Sequence, residues 1–497
     1  MKLKHLSTAM ILATLPATGV FAAALDRSGQ SMSAFLQPGN YFEAGISVLD
    51  PTVKGQEAGT SATTRKIGDM GDDYYFPSAA LKLQLTDNVS FGLLYDQPFG
   101  ADAKYTGENV FVSKPGSDTV LAQDRLDALA DAGRAKIAAF MQSDQAKAAI
   151  GKLMSQGLSQ QVATQAVLAE ASKPLLAMQQ GLLEANKSLG IGNTGVEVDT
   201  QNISLVFGYQ PIKNLNLYAG GVYQTVKGKV NLRGTAYSIY NGYDADIKET
   251  GGAGWLVGAA YQIPEIALKA SVTYRSEIDH KVNINEKLSV TSALTNNPAV
   301  LANLLGVSEA EALAQAQALE EGSAGKKTKI TTPQSVNLDF QTGIMANTVA
   351  FANVRWVNWK DFAIQPYKFG LLSKQIGGLV GRPDGFNLVE YADDQWSVNA
   401  GVGRKLSEQW AGNVSVGWDS GAGNPVTTLG PTEGYWNVGL GLQYSPTPAT
   451  FIAGGVKYFW LGDAKAQTGA QAGGNEYVAK FEDNNAIAYG LKIGYKF

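Results

Sequence analysis

Two arginines lie where they could bind a molecule with a carboxylate head and an apolar body. Arg275 and Glu277 lie within 266–284, and Arg355 lies shortly before Trp359. Apolar residues alternate with both arginines, so period-two geometry directs the two cations to the face opposite the apolar one. A guanidinium beside apolar side chains can hold a carboxylate and an apolar chain together. The alternative for the first position is a structural ion pair between Arg275 and Glu277.

The composition gives little support to catalytic chemistry. The chain contains no cysteine and two histidines, and His5 lies in a segment that we expect to be removed. A histidine-dependent nucleophile would have to use His280, which the alternation places on the apolar face or at its rim. Acidic pairs such as Asp393 and Asp394 fall in predicted loops and lack the spacing of a calcium site. We therefore expect no enzyme, no metal site and no other cofactor.

The N-terminus has the parts of a secretory signal peptide. Lys2 and Lys4 precede an apolar stretch at 6–20, and small residues follow up to Ala24. The stretch is too short for a comfortable membrane-spanning helix, so residues 1–24 are predicted to be a cleaved signal. An exported chain without cysteine is a periplasmic domain or an outer-membrane barrel. With 40 Lys and Arg against 44 Asp and Glu, a nucleic-acid partner bound through bulk positive charge is excluded.

Alternating segments of about ten residues recur along the chain, and turn residues separate them. The final segment carries Tyr489, Tyr495 and Phe497 on one parity, and we expect it to pair with the first and close a ring. About fourteen strands are predicted, at 41–50, 75–85, 88–97, 197–210, 214–229, 247–263, 266–284, 328–345, 347–360, 389–406, 409–419, 433–445, 449–462 and 484–497.

Two long connections have a helical period instead. Residues 117–190 place apolar side chains on one helical face, with Pro174 as the predicted break. Residues 297–321 predict a helical hairpin, whose second helix begins with a capping box formed by Ser308 and Glu311. Their apolar stripes fit either a lid that covers the barrel or a landing surface for an apolar molecule.

Short turns at one end and long loops at the other are the asymmetry of an outer-membrane barrel. We therefore predict an all-β, membrane-spanning antiparallel β-barrel at 40–497, located in the bacterial cell outer membrane. Helical extracellular insertions are expected at about 115–193 and 290–325, and residues 25–39 precede the first strand. Tryptophans near strand ends suit interfacial girdles, and the candidates are Trp356, Trp359, Trp396, Trp410, Trp418, Trp436 and Trp460.

Several short motifs occur in order along the chain. They are Phe76-Pro77, QPFG at 97–100, YRSE at 274–277, Thr332-Pro333-Gln334, VRWVNW at 354–359, DQWSV at 394–398 and GYWNVGL at 434–440. In this order they resemble the FadL/TodX (OMPP1) family of outer-membrane transporters for long-chain fatty acids and other hydrophobic compounds. The resemblance covers most of the chain from Asn40 to Phe497.

The resemblance implies a fourteen-stranded barrel that captures hydrophobic compounds outside the cell and passes them on without a cofactor or an energy source. In the family the third strand is kinked inward, and Pro98 here cannot donate to a strand ladder. The alternative is that Pro98 only marks the extracellular end of the strand. Candidate substrate contacts are Phe99, Gly100, Arg275, Glu277, Arg355 and Trp359, and candidate kink residues are Pro98, Gly100 and Pro333.

Family members usually have a long N-terminal plug, whereas residues 25–39 are too few to fill a fourteen-stranded lumen alone. Inward side chains and the 117–190 insertion would then obstruct the pore, or the channel would be leakier than its relatives. Expected partners are long-chain fatty acids or hydrocarbons, outer-membrane lipid and lipopolysaccharide, and the barrel assembly machinery during biogenesis. The alternative functions are a general porin for polar solutes and a surface adhesion or structural barrel protein.

Overall fold

A closed antiparallel barrel of fourteen strands forms the centre of the molecule. The structure, a computed structural model, describes residues 25–114, 123–321 and 325–497, so the predicted signal peptide lies outside the described residues. The barrel strands are β1 (Tyr41–Thr52), β2 (Tyr74–Gln84), β3 in two parts (Val89–Asp96 and Gly100–Lys104), β4 (Gly195–Ile212), β5 (Leu215–Leu232), β6 (Tyr243–Ile263), β7 (Leu268–Arg275), β8 (Ser335–Met345), β9 (Thr348–Val357), β10 (Gln395–Lys405), β11 (Trp410–Asp419), β12 (Tyr435–Thr447), β13 (Thr450–Leu461) and β14 (Asn485–Lys496).

The barrel closes between its first and last strands. β1 and β14 are antiparallel in continuous register, from Tyr41 opposite Lys496 to Thr52 opposite Asn485. On its other side β14 pairs with β13, and β1 pairs with β2, so neither strand of this seam has an open edge. The predicted all-β barrel and its predicted closing pair are therefore confirmed.

Side-chain exposure follows the period of two along the strands. On β14, Tyr489 and Leu491 point outward and are exposed at 49% and 55%, whereas Ala486 and Ala488 are buried. The outward face therefore presents apolar side chains where lipid lies. Trp359 is the exception among the predicted girdle tryptophans, because it follows β9 in a loop and is fully buried. The girdle prediction for this residue is wrong.

The two ends of the barrel differ in the length of their connections. Short turns join β2 to β3, β4 to β5, β6 to β7, β8 to β9, β10 to β11 and β12 to β13, whereas the other connections are long. Outer-membrane barrels have short periplasmic turns and long extracellular loops, which gives the orientation. The long loops form an extracellular cap that includes a five-stranded sheet of Gly55–Glu57, Lys66–Ile67, Val426–Thr427, Ala464–Gln467 and Ala479–Phe481.

The cap also contains the helices. Pro174 lies inside a continuous helix, so the break predicted there is wrong; buried side chains such as Met178 hold the following turns in place. The capping box of Ser308 and Glu311 is present. Among the described residues, no helix is long and apolar enough to cross a bilayer. The helices are α1 (Gln123–Gln142), α2 (Asp144–Ser155), α3 (Gln160–Ser188), α4 (Thr291–Asn296), α5 (Pro298–Leu305), α6 (Glu309–Glu320) and α7 (Tyr367–Ile376).

The predicted strands at 266–284 and 328–345 are each divided into two. After β7 and before β8, the pieces Ile278–Val282 and Thr328–Thr332 pair with each other as a separate two-stranded sheet. This two-stranded sheet lies against the inner face of β6, where His280 contacts the position of Gly252. The interruption inverts the alternation, so His280 is fully buried inside and its predicted place on the apolar face or rim is wrong.

Residues 25–39, called the N-terminal segment from here on, lie inside the barrel. Phe35 is buried and its ring centroid lies 5.6 Å from that of Tyr218 on β5. A Cβ atom at Gly92 or Gly208 would collide with the Phe35 ring, so two strand glycines make room for it. The segment and inward side chains thus fill the middle of the lumen, whereas α3 packs on α4 and α5 in the cap.

Candidate functional site

The third barrel strand is interrupted at residues 97–99. Its first part ends opposite Asn202 of β4, and its second part begins opposite Asp199. Three residues on β3 thus face two on β4, so one residue is extra and the ladder is locally lost. Pro98 lies in this interval and has no amide hydrogen to donate, which gives the interruption a physical cause.

The interruption also separates β3 from β2. The ladder between them runs from Gln84 opposite Ser90 to Ala79 opposite Tyr95 and then stops. The side chain of Tyr74 crosses the resulting gap, because its hydroxyl donates a hydrogen bond of 3.1 Å to Asp199 Oδ1 of β4.

Gly100 makes the Tyr74 contact possible. A Cβ atom at position 100 would collide with the Tyr74 hydroxyl, and Gly100 is not among the residues with positive φ. Gly100, a predicted kink residue, therefore contributes open space for a neighbouring side chain. A substitution would displace Tyr74 rather than strain the backbone.

The N-terminal segment occupies the interruption in β3. The Arg27 amide donates to the Pro98 carbonyl at 2.6 Å, and the Gly100 amide donates to the Leu25 carbonyl at 2.9 Å. The Phe99 amide donates instead to the hydroxyl of Thr200 at 2.9 Å. Backbone groups that the ladder releases therefore find partners, some of them in a segment remote in sequence.

An ion pair anchors this segment to the opposite wall. Arg355 of β9 donates from Nε to Asp26 Oδ2 at 2.7 Å and from Nη2 to Asp26 Oδ1 at 3.2 Å. Its Nη1 donates to Asn337 Oδ1 at 2.7 Å, and its Nη2 also reaches Gln30 Oε1 at 3.1 Å. Every nitrogen of the Arg355 guanidinium is thus engaged by protein partners. Arg355 faces inward, as its parity predicts, but it is used in a structural ion pair.

Arg275 is different, because its contacts are few and long. Its Nη1 lies 3.4 Å from Ser204 Oγ, and its Nη2 lies 3.4 Å from the Gln30 carbonyl and 3.3 Å from Met32 Sδ. Its Nε is buried without a hydrogen-bond partner among the described residues. Glu277 is exposed at the end of β7, so the alternative of a structural Arg275–Glu277 pair is not what the structure shows.

A cavity of about 230 Å³ lies beneath the N-terminal segment, on the periplasmic side of the interruption. Ser78 of β2 and Asp96 of β3 line its edge at the point where these strands separate. Arg275 and Lys269 of β7 line the opposite part, and the apolar wall includes Leu94. The cavity therefore combines cations, carboxylates and apolar surface beside the interruption.

Aromatic side chains connect the interruption to the extracellular cap. The ring centroids of Phe99 and Trp359 are 5.4 Å apart, and both residues are buried. Trp359 also contacts Tyr391, with ring centroids 5.2 Å apart, and its Nε1 donates to Gln395 Oε1 at 2.8 Å. The two predicted contact residues therefore belong to one apolar core that continues upward into the cap.

The structure brings five of the predicted residues around the N-terminal segment, and it does not bring Glu277 there. Pro333 lies just before β8 and borders a small cavity that Phe99 and Arg275 also line. The five residues are Phe99, Gly100, Arg275, Arg355 and Trp359, with Pro98 beside them.

Sequence reasoning missed the partners Asp26, Gln30 and Tyr74. The one signal for Asp26 was the return of charged residues directly after the predicted cleavage site. In the part of the chain that the structure describes, no cluster of His, Cys, Asp or Glu could hold a metal ion.

Glu433, in the extracellular loop between β11 and β12, has a raised pKa. Burial raises the pKa of Glu433 to about 7, although backbone amides such as that of Gly423, which donates at 3.1 Å, act in the opposite direction. The nearby charge of Asp419 adds to the increase. The loop that contains Glu433 therefore changes charge near neutral pH.

A fourteen-stranded barrel with lipid-facing apolar strands, an interrupted wall and an internal segment defines an outer-membrane transport protein. A family model described as "Outer membrane protein transport protein (OMPP1/FadL/TodX)" matches residues 185–497. The chain belongs to this family, as its motifs predicted, and it is located in the outer membrane.

Solved structures agree on the fold. A Pseudomonas aeruginosa FadL homologue is 12% identical with a TM-score of 0.55, and the match covers 94% of this chain and 92% of that one. The Pseudomonas putida toluene transporter TodX is 10% identical with a TM-score of 0.50, and the match covers 99% and 98%. Identities this low show the fold alone. No curated protein sequence matches the chain.

Proposed function

We propose that this protein is a channel for the passive uptake of long-chain fatty acids or similar hydrophobic compounds. The observation that carries the proposal is the interruption of β3, where the wall separates from β2 beside an internal cavity of about 230 Å³. An apolar molecule needs a way between lipid and lumen that avoids bulk water. A gap in the wall and a partly apolar cavity beside it form such a path.

Capture at the extracellular mouth is supported by the surface of the first helical insertion. Met154 at the end of α2 and Leu168 on α3 are exposed at 42% each, and Leu158 between the helices is exposed at 39%. A self-contained lid would bury these side chains, whereas a landing surface for apolar molecules would leave them accessible. The exposure favours the landing surface.

Passage then requires movement of the N-terminal segment. Hydrogen bonds at Pro98 and Gly100 and the Asp26–Arg355 ion pair hold this segment in the interruption. None of them is covalent, so thermal motion can release the segment without a cofactor or an energy source. The substrate gradient alone supplies the direction of transport.

Arg275 is the group that we expect to contact a carboxylate head. Its guanidinium is buried, faces the cavity and makes only long contacts, whereas that of Arg355 is fully engaged. A carboxylate in the cavity would gain charge-assisted hydrogen bonds that the protein leaves open. A neutral hydrocarbon would use the same cavity without this contact.

The register of β3 gives a direct test of the route. Deletion of Pro98 leaves two residues facing two on β4, which restores a continuous ladder and closes the wall. We expect uptake of a radiolabelled long-chain fatty acid by intact cells to fall to the level of cells without the protein. The matched control, Pro98→Ala, keeps all three residues and should keep most of the uptake. Normal uptake in the deletion variant would refute the wall route.

Arg275→Gln tests the head-group contact. The variant should lower uptake of the labelled fatty acid about tenfold or more, since a hydrogen bond to a charged group contributes about 1.5–3 kcal/mol. Uptake of a labelled aromatic hydrocarbon should not change. Bilayer conductance is measured in parallel, because large steady ionic currents through the wild type would favour a porin for polar solutes instead.

A further inference from the structure

The outer surface of the barrel carries a groove that the transport route does not use. It has a volume of about 610 Å³ and crosses β10 to β13 near their periplasmic ends, where Leu406 of the turn after β10 forms one wall. Apolar side chains such as Val402 and Leu442 form the other walls. The groove therefore faces the periplasmic leaflet of the membrane.

Two outward-facing glycines form its floor. Gly412 lies opposite Leu442, and Leu442 lies opposite Gly454, on three consecutive strands. A Cβ atom at Gly412 would come no closer than 3.4 Å to its nearest neighbour, and one at Gly454 no closer than 3.5 Å. Neither residue has a positive φ. Backbone and packing would both accept larger residues here, so the effect of the glycines is an open channel in an otherwise bulky apolar surface.

A cation lies at one end of this floor. Arg404 is exposed on the outward face of β10 and lies directly opposite Gly412. Within the described ranges 25–114, 123–321 and 325–497, no residue forms a hydrogen bond or an ion pair with its guanidinium. An arginine on a lipid-facing strand is unfavourable unless its charge reaches the interface or meets an anion there.

We propose that this groove binds one phospholipid of the periplasmic leaflet. The Arg404 guanidinium binds the phosphate, and an acyl chain lies over Gly412 and Gly454 between the apolar walls. The planar guanidinium suits a phosphate because its parallel N–H groups can donate to two oxygens at once. An apolar floor next to a single cation matches an acyl chain next to a single anion.

The test measures the lipid that stays bound. The full-length mature protein is extracted in mild detergent, and bound phospholipid is counted by native mass spectrometry. The wild type should retain one phospholipid. Arg404→Gln should reduce its occupancy about tenfold or more, as expected for loss of a charge-assisted hydrogen bond. Gly412→Leu and Gly454→Leu fill the floor and should reduce occupancy to a similar degree.

Two matched variants control for charge and for bulk. Lys405→Gln removes the neighbouring cation, which points to the other face and pairs with Glu408 at 3.0 Å. Gly221→Leu adds bulk at an outward glycine of β5 where a Cβ atom would meet nothing within 4 Å. Both controls should retain the phospholipid, and all variants should show the heat-dependent electrophoretic shift of a folded barrel.

Three results would overturn the proposal. Equal lipid retention in every variant would show that the groove is not the site. Loss in Arg404→Gln with full retention in both filled grooves would show a phosphate contact without an acyl-chain groove. A lipid-free wild-type dimer that Gly412→Leu separates would assign the surface to a second copy. Fatty-acid uptake should be unchanged in Arg404→Gln, so this proposal stands or fails independently of the transport route.

Discussion

The barrel wall is interrupted in two places, and the two interruptions are closed in different ways. Each lies at a proline that interrupts a strand, Pro98 after the first part of β3 and Pro333 before β8. The first is occupied by the N-terminal segment, which comes from a remote part of the sequence. The second is covered by the two-stranded sheet of Ile278–Val282 and Thr328–Thr332, which continues the interrupted strands themselves.

The hydrogen bonding at the two interruptions also differs. At the second interruption, His280 Nε2 lies 3.1 Å from Gln224 Oε1, and the Thr332 hydroxyl donates to the same oxygen at 2.7 Å. This network is buried, and its members are tied into the wall by short connections. A proline therefore opens a strand, but the element that fills the space decides whether the opening can be used. The N-terminal segment can leave as a unit, whereas the two-stranded sheet cannot leave without breaking its connections to β7 and β8.

Removal of the ion pair that anchors the N-terminal segment should have the largest effect. Asp26→Asn removes one partner of a buried ion pair, which typically costs about 3–5 kcal/mol. We expect the N-terminal segment to leave the interruption, so that hydrogen exchange of peptides containing the Arg27 and Gly100 amides becomes fast. The control Glu43→Gln breaks the Lys492–Glu43 pair, which also lies inside the barrel but does not touch these amides. Equal exchange in the two variants would contradict the anchoring role.

The second largest effect concerns the side chain that crosses the gap between β2 and β3. Gly100→Ala should displace Tyr74 and destabilise the barrel, whereas the same change in a Tyr74→Ala background should be nearly neutral. Residues in direct contact typically show coupling energies of about 0.5–3 kcal/mol in a double-mutant cycle. Thermal unfolding followed by electrophoretic mobility gives the four stabilities. Additive effects would show that Gly100 and Tyr74 do not interact.

The network at the second interruption should affect stability without affecting transport. His280→Ala removes the contacts with Gln224 and with the Thr250 carbonyl, and each hydrogen bond typically contributes about 0.5–1.5 kcal/mol to stability. Fatty-acid uptake by the folded variant should equal that of the wild type. A fall in uptake at unchanged surface abundance would mean that both interruptions serve transport.

The smallest effect is a pH dependence outside both interruptions. The pKa of Glu433 is about 7 in the fold, above the usual value of 4.5. Its stabilising contribution is therefore fully present below about pH 4.5 and is lost as the pH rises through 7. Hydrogen exchange of the loop at 420–434, corrected for intrinsic rates, should be slower at pH 5 than at pH 8. Glu433→Gln should reduce this difference.

Strand alternation was sufficient to predict the ring, because lipid on one side imposes a period of two on every strand. The alternation failed beyond β7, because its phase changes at residues 276–277. Tyr274 faces outward and Ile278 faces inward, although both have even numbers. The inward direction of Arg355 followed from parity, but its partner Asp26 did not, because nothing local links residues so far apart. The collision between a Cβ at position 100 and Tyr74 is likewise a property of three dimensions alone.

The seam between β1 and β14 joins the first barrel strand to the one that follows all the others in the chain. Every other strand of the barrel is therefore synthesised before β1 and β14 can pair. Until then the sheet has two unpaired strand edges that could pair with another chain, and contacts of such long sequence separation form slowly. The order of the strands thus leaves both of these edges unpaired until β14 has been made.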